Sequence, residues 1–247
     1  MFVQSPSSLA YMQAVCMYHT DSMHVKRSET ETADAPETEA ADAPLRPGGR
    51  SLKAQQSFVT RTALLTVARE LFAERGYAQV GTEEIVRAAG VTRGALYHHF
   101  KDKAELFAAV YEDVEGALME RIATSAMAAA RDPLELLRAG ASGFLDACED
   151  PAVQQIALLD APSVLGWERW REIGMRYGLG LVQASLEAAI DAGLIERQPA
   201  GPLAHLLLGA LDEGAMLLAR ADDDGETREQ LGASIARMLD ALRSRPA

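Results

Sequence analysis

Between Thr82 and Lys103 the chain concentrates side chains that donate hydrogen bonds or carry positive charge: Thr82, Thr92, Arg93, Tyr97, His98, His99, Lys101 and Lys103, with Gly94 and Ala95 among them. An arginine can donate twice to a guanine edge, and threonine, tyrosine or histidine can bond a phosphate or a base. Lysine adds charge against a polyanion, while glycine and alanine let a backbone come close or meet a thymine methyl. The chemistry within reach is recognition of a major groove rather than the making or breaking of bonds. The sequence holds no glycine-rich phosphate loop, no GxSxG and no HExxH, and two of its five histidines fall in this stretch. No catalytic residue, metal or cofactor is expected.

Two short helices joined by a tight turn would position these groups. Thr82 is expected to cap the first, whose opening turn carries Glu83 and Glu84, the sign that a helix N-terminus favours. Ile85, Val86 and Ala89 give it a buried face, and Gly90 ends it because glycine enters a left-handed conformation without a steric cost. Thr92 caps the second helix, Arg93 to Phe100. Leu96 and Phe100 stand four apart and turn inward together, leaving Arg93, Gly94, Ala95, Tyr97, His98 and His99 outward. Lys101 and Lys103 flank this recognition helix, and Lys103 opens a further helix whose free N–H groups could bind phosphate. Ahead of the pair, a helix from about Ser57 to Arg75 offers Leu64, Leu65, Ala68, Leu71 and Phe72 as the face that supports it, with Gly76 as its stop.

The stretch RTALLTVARELFAERGYAQVGTEEIVRAAGVTRGALYHHFKDKAELF resembles the TetR family of bacterial transcriptional repressors. The resemblance runs from about Thr60 to Phe107. It rests on Phe72, Arg75, Gly76 and Tyr77 at the end of the first helix, on Ala89, Gly90 and Val91 at the turn, and on Leu96, Tyr97, His99, Phe100 and Lys103. It implies that Thr82, Thr92, Arg93, Gly94, Tyr97, His98, His99 and Lys103 contact DNA. It also implies an all-α architecture of about nine helices and a homodimer on a palindromic double-stranded operator. Such a protein acts as a repressor released by a small-molecule effector.

The rest of the chain fits that outline. Lys103 to about Ala130 reads as one long helix linking the reader to a helical body. Asp132 with Pro133 and Asp150 with Pro151 cap the next two helices, the second ending near Leu159 before a break at DAPSVLG. Further helices run from about Trp167 to Ala192, from Pro202 to Arg220 and from Thr227 to Leu242. The domain reading is therefore an extension over 1–52, a helix-turn-helix domain over 53–103, and a ligand-binding and dimerisation domain over 104–247. Phe144, Asp160, Trp167, Trp170, Met175, Tyr177 and His205 are the groups that could line an effector pocket, each with ordinary core packing as the alternative. The last two helices are the candidate dimer interface, through Leu206, Ala210, Gly214, Leu217, Ile235, Met238 and Leu242, with packing inside one subunit as the alternative.

Composition agrees. Net charge is −12, yet residues 51–106 hold eight basic and six acidic groups against twelve and twenty-three in 107–247. A mildly basic head on an acidic body limits non-specific attraction to DNA. No apolar run reaches the eighteen or so residues of a membrane span, and two distant cysteines fit a reducing compartment, so the expected location is the cytoplasm, on the nucleoid. Cys16 and Cys148 form no disulfide framework; Cys148 reads as a buried apolar residue or, alternatively, a redox sensor. Residues 28–50 hold one leucine in a Thr-, Ala-, Glu- and Pro-rich run and are expected to be disordered. The opening residues lack the pattern of a secretory signal, and Met23 is a second candidate start. Arg46, Arg50 and Lys53 could act as a basic arm in a minor groove. A second functional reading keeps the fold but makes the chain a DNA-bound adaptor that recruits a protein partner.

Overall fold

The computed structural model describes residues 52–222 and 225–244. The expected extension, Arg46, Arg50 and Cys16 lie outside the described residues. Among those described, the protein is all-α, with nine helices and no strand beyond a single bridge between Ile195 and Arg243. No described helix is long and apolar enough to cross a membrane.

Helix α1 spans Leu52–Gln79 and starts earlier than its apolar stripe, because Leu, Lys, Ala and Gln extend it at little cost. It leaves helical geometry at Gly76, where φ is 75° and ψ 160°. That region is essentially closed to residues with a Cβ, and a Cβ here would also stand 2.9 Å from Nε2 of Gln155. Gly76→Ala is therefore expected to cost about 1–3 kcal/mol, read as a lower midpoint in thermal unfolding; an unchanged midpoint would show that the kink is not required.

Helices α2 (Thr82–Ala88) and α3 (Arg93–His99) follow. The cap of α2 differs from expectation. Gly81 occupies the N-cap position with extended geometry, and Thr82 is the first helical residue and makes no capping bond. A glycine serves as an N-cap nearly as well as a threonine, so the boundary falls one residue earlier. Gly90, at φ 66°, closes the helix, with Val91 N–H donating back to Val86 O at 3.0 Å. Thr92 caps α3 as expected, its hydroxyl oxygen accepting from Ala95 N–H at 3.2 Å.

Helix α4 (Lys103–Ala129) buries Leu106, Phe107, Val110, Tyr111, Val114 and Leu118, so one helix belongs to the core of both reader and body. It packs against α5 (Pro133–Ala147), α6 (Pro151–Leu165) and α7 (Trp167–Asp191). Asp132 caps α5 by accepting from Leu134 and Glu135 N–H, both at 2.8 Å, and Asp150 caps α6 by accepting from Ala152 N–H.

Helix α6 is a continuous run of three pieces, Pro151–Val153, a π-helical Gln154–Asp160, and Ala161–Leu165. The break expected at DAPSVLG is confined to the last residue of that stretch. Ala161 N–H reaches Ile156 O across the wide π turn, and Pro162, which has no N–H to give, follows directly on it. The chain leaves helical geometry at Gly166, with φ 78° and ψ 158°. Helix α8 (Ala200–Leu218) packs on α7, and α9 (Glu226–Ala241) packs on α5.

Candidate nucleic-acid interface

The reader is held from beneath by an apolar core. Leu64, Ala68 and Phe72 of α1, Ile85 of α2, Leu96 of α3, and Leu106 and Phe107 of α4 are fully buried. Phe107 stands edge-on to both Phe72 and Tyr77, with ring centroids 5.2 and 5.1 Å away. Arg75 and Glu84, 2.7 Å apart, tie α1 to α2 at the surface.

With Leu96 and Phe100 turned in, α3 presents Arg93, Gly94, Tyr97 and His98 to solvent, while Ala95 and His99 are half-buried. Arg93 Nη1 lies 2.9 Å from Oε1 of Glu83, and its guanidinium sits 5.5 Å from the Tyr97 ring centroid. The pair is exposed, and an exposed pair holds its arginine weakly, so a guanine edge can displace Glu83. Burial first, then the positive charges of His98 and Arg61, lowers the His99 pKa, which favours a neutral ring. Lys101 is exposed beyond the helix end.

Lys103 is placed differently from expectation. Its ammonium donates to Tyr77 O at 2.6 Å and lies 3.9 Å from the Tyr77 ring centroid, so it is turned into the protein rather than offered to a phosphate. Burial lowers its pKa, against the opposing charge of Asp160. The N-terminus of α4 is also occupied, for the Asp102 carboxylate accepts from Glu105 N–H at 2.9 Å.

The effector candidates do not converge on one site. Trp167, 60% exposed, and His205 lie at the surface. Trp170 is buried and spends its indole N–H on Ala157 O, at 2.9 Å. Phe144, Met175 and Tyr177 are half-buried, and Tyr177 lies against Gly116. Asp160 accepts from Tyr77 N–H at 2.6 Å, toward the reader. A cleft of about 280 Å³ does open between α1, α4 and α6, lined by Arg69, Val114, Leu118, Arg121, Val153 and Ile156 among others, and none of the seven candidates lines it.

Sequence reasoning passed over a polar group inside the body. Glu115 is 8% exposed, accepts from the Tyr111 hydroxyl, and lies near Asp212, which is paired with Arg171. Its place was legible, because Tyr111 and Glu115 are four apart on the buried face of α4. Cys148 is fully buried and its thiol is pushed up to about 12, chiefly by burial, which makes it a poor nucleophile and disfavours the redox reading.

The candidate dimer residues divide. Leu206, Leu217 and Met238 are 72%, 46% and 48% exposed, a high value for large apolar side chains. Gly214 and Ile235 are buried within the single chain, Gly214 against Leu145 and Leu231. Ala210 and Leu242 are intermediate.

The family profile described as "Bacterial regulatory proteins, tetR family" matches residues 64–110, and that described as "Tetracyclin repressor-like, C-terminal domain" matches residues 134–242. The chain is similar to the HTH-type transcriptional regulator AcrR of Shigella flexneri, 42% identical over 84 residues, which are 34% of this chain and 39% of that one. It thus spans about two fifths of that regulator's length. Among solved structures, a TetR-family transcriptional regulator from Pectobacterium atrosepticum is 32% identical with a TM-score of 0.69, over 78% of this chain and 98% of that one. RolR in complex with resorcinol shares the fold, with a TM-score of 0.61 and 24% identity over 78% and 97% of the two chains.

Proposed function

This chain belongs to the TetR family of DNA-binding transcriptional regulators, and from that membership we propose that it is a homodimeric repressor released from a palindromic operator by a small-molecule effector. The observation that carries the reading is the outward face of α3. Arg93, Gly94, Tyr97 and His98 stand clear of the protein on a helix anchored by Leu96 and Phe100. We assign direct contacts to these residues with Thr92, Ala95, His99 and Lys101; Thr82 opens α2 beside them.

A two-fold operator needs a two-fold protein whose recognition helices lie about one DNA turn apart. The exposed Leu206, Leu217 and Met238 on α8 and α9 supply an apolar face for a second copy. The proposed effector enters the body and favours a state in which the reading heads leave that spacing, which it can do only through its differential affinity for the two states. RolR, which shares the fold, was solved with its ligand resorcinol, and FadR from Bacillus subtilis, of the same fold, with stearoyl-CoA, so the fold itself admits a bound small molecule.

Selection from a random duplex pool with purified protein, at two salt concentrations, tests the reading. A palindromic motif with a steep salt dependence is expected. Arg93→Ala should weaken binding by about 1–3 kcal/mol per half-site and blur the base it reads. A variant that keeps both the motif and the affinity would remove Arg93 from the reader, and a wild type that enriches nothing would overturn sequence-specific regulation.

A further inference from the structure

Tyr77 is held at both of its backbone polar groups. It follows the Gly76 kink, where α1 has left helical geometry. Its N–H donates to Asp160 Oδ2 at 2.6 Å, and its carbonyl accepts from the Lys103 ammonium at 2.6 Å. Asp160 comes from α6 and Lys103 from the first residue of α4. A carboxylate and an ammonium from two different helices thus clamp one peptide segment, and such charge-assisted bonds are about twice as strong as neutral ones.

The position of the clamp gives it meaning. The reader, residues 82–99, is bracketed by Tyr77 on its approach and Lys103 on its exit. Both ends are gathered at one point, and that point is fastened to the body through Asp160. Gln155 of the same π-helical segment lies flush against the kink, its amide nitrogen 2.9 Å from where a Cβ on Gly76 would stand. Segments of π-helix are rare and concentrate at functional sites. The ring of Tyr77 is seated on Phe107 and Phe72, so the clamp acts on an otherwise rigid head.

We propose that Asp160 is a positioning residue for DNA recognition: from the π turn of α6, and without touching DNA, it sets the angle at which the reading head is presented. The inference rests on the DNA-binding reading above. In a two-fold protein the angle of each head fixes the separation of the two recognition helices, so a loosened clamp lowers affinity through geometry alone.

The test uses the full chain with Asp160→Ala and Asp160→Asn, the second retaining an acceptor oxygen. Amide exchange on the free protein should rise at least tenfold around Tyr77 in Asp160→Ala, with the thermal midpoint of the body little changed. Affinity for the motif enriched by the wild type should fall about tenfold, with the base preference and the salt dependence unaltered because every contact to DNA remains. Asp160→Asn should recover most of that loss. Faster exchange with wild-type affinity would overturn the proposal, as would unchanged exchange. If the wild type itself enriches no motif, the DNA reading fails, while the exchange measurement still decides whether Asp160 holds the head.

Discussion

Phe107→Ala should cost about 3–5 kcal/mol of folding stability, the range for removing a fully buried aromatic ring. The ring has no exposed surface and lies where α1 and α4 meet, edge-on to Phe72 and Tyr77. Removing it forfeits the transfer free energy of the side chain, leaves a cavity that the helices close only in part, and deletes two aromatic contacts of favourable geometry. Urea unfolding read by fluorescence would measure the loss, with Phe107→Leu expected at under half of it. Because the ring also seats Tyr77, DNA affinity should fall further in the alanine variant than its folded fraction accounts for. A cost below about 1 kcal/mol would mean that the junction repacks freely, contrary to close packing in protein interiors.

Glu115 gives the second large effect, one that depends on pH. Burial raises its carboxyl to about 7 from an ordinary 4.5; the nearby Asp212 charge adds to this, and the Tyr111 hydroxyl offsets part of it. Below pH 4.5 the folded and unfolded chains both carry the proton. Between 4.5 and about 7 the unfolded chain loses it while the folded chain keeps it, so stability falls as pH rises; above about 7 the loss is complete. The shift corresponds to about 3 kcal/mol across that window. Glu115→Gln cannot ionise and should lack this component. The stability of wild type minus variant should therefore decline by about that amount from pH 4.5 to pH 8, with contributions from other groups cancelling in the difference. A difference that stays level would show that water or a rearranged partner stabilises the carboxylate in the folded state.

What could be read from the residues and what could not separate along a physical line. Signals that act within one turn of helix were legible: Thr92, Asp132 and Asp150 cap helices with their own oxygens, and Gly90 ends α2 at positive φ. The inward pair Leu96 and Phe100 follows from spacing alone, and it fixes which residues of α3 face outward. The π turn of α6 was not legible, since a pattern tuned to 3.6 residues per turn reads DAPSVLG as an interruption. Nor could spacing reveal that Asp160 meets Tyr77, 83 residues away, or that Lys103 folds back onto the same residue. The effector candidates follow from residue type, which says nothing of direction: Trp167 and His205 are exposed to solvent, while the cleft between α1, α4 and α6 is lined by two arginines, Asp150 and aliphatic side chains.

The π segment also has a consequence for how this chain tolerates insertions and deletions. Each residue advances an α-helix by about 100°, and a π turn holds one residue more than the α turn it replaces. Deleting any one residue between Gln154 and Asp160 would let α6 relax to ordinary α geometry at little energetic cost. The flanks on either side would keep close to their present relative orientation, because the residue lost is the extra one that the wide turn holds. A single-codon deletion inside this interval that spares Asp160 is then absorbed more readily than one in an ordinary α-helix, where the loss of a residue turns the far flank by about 100°.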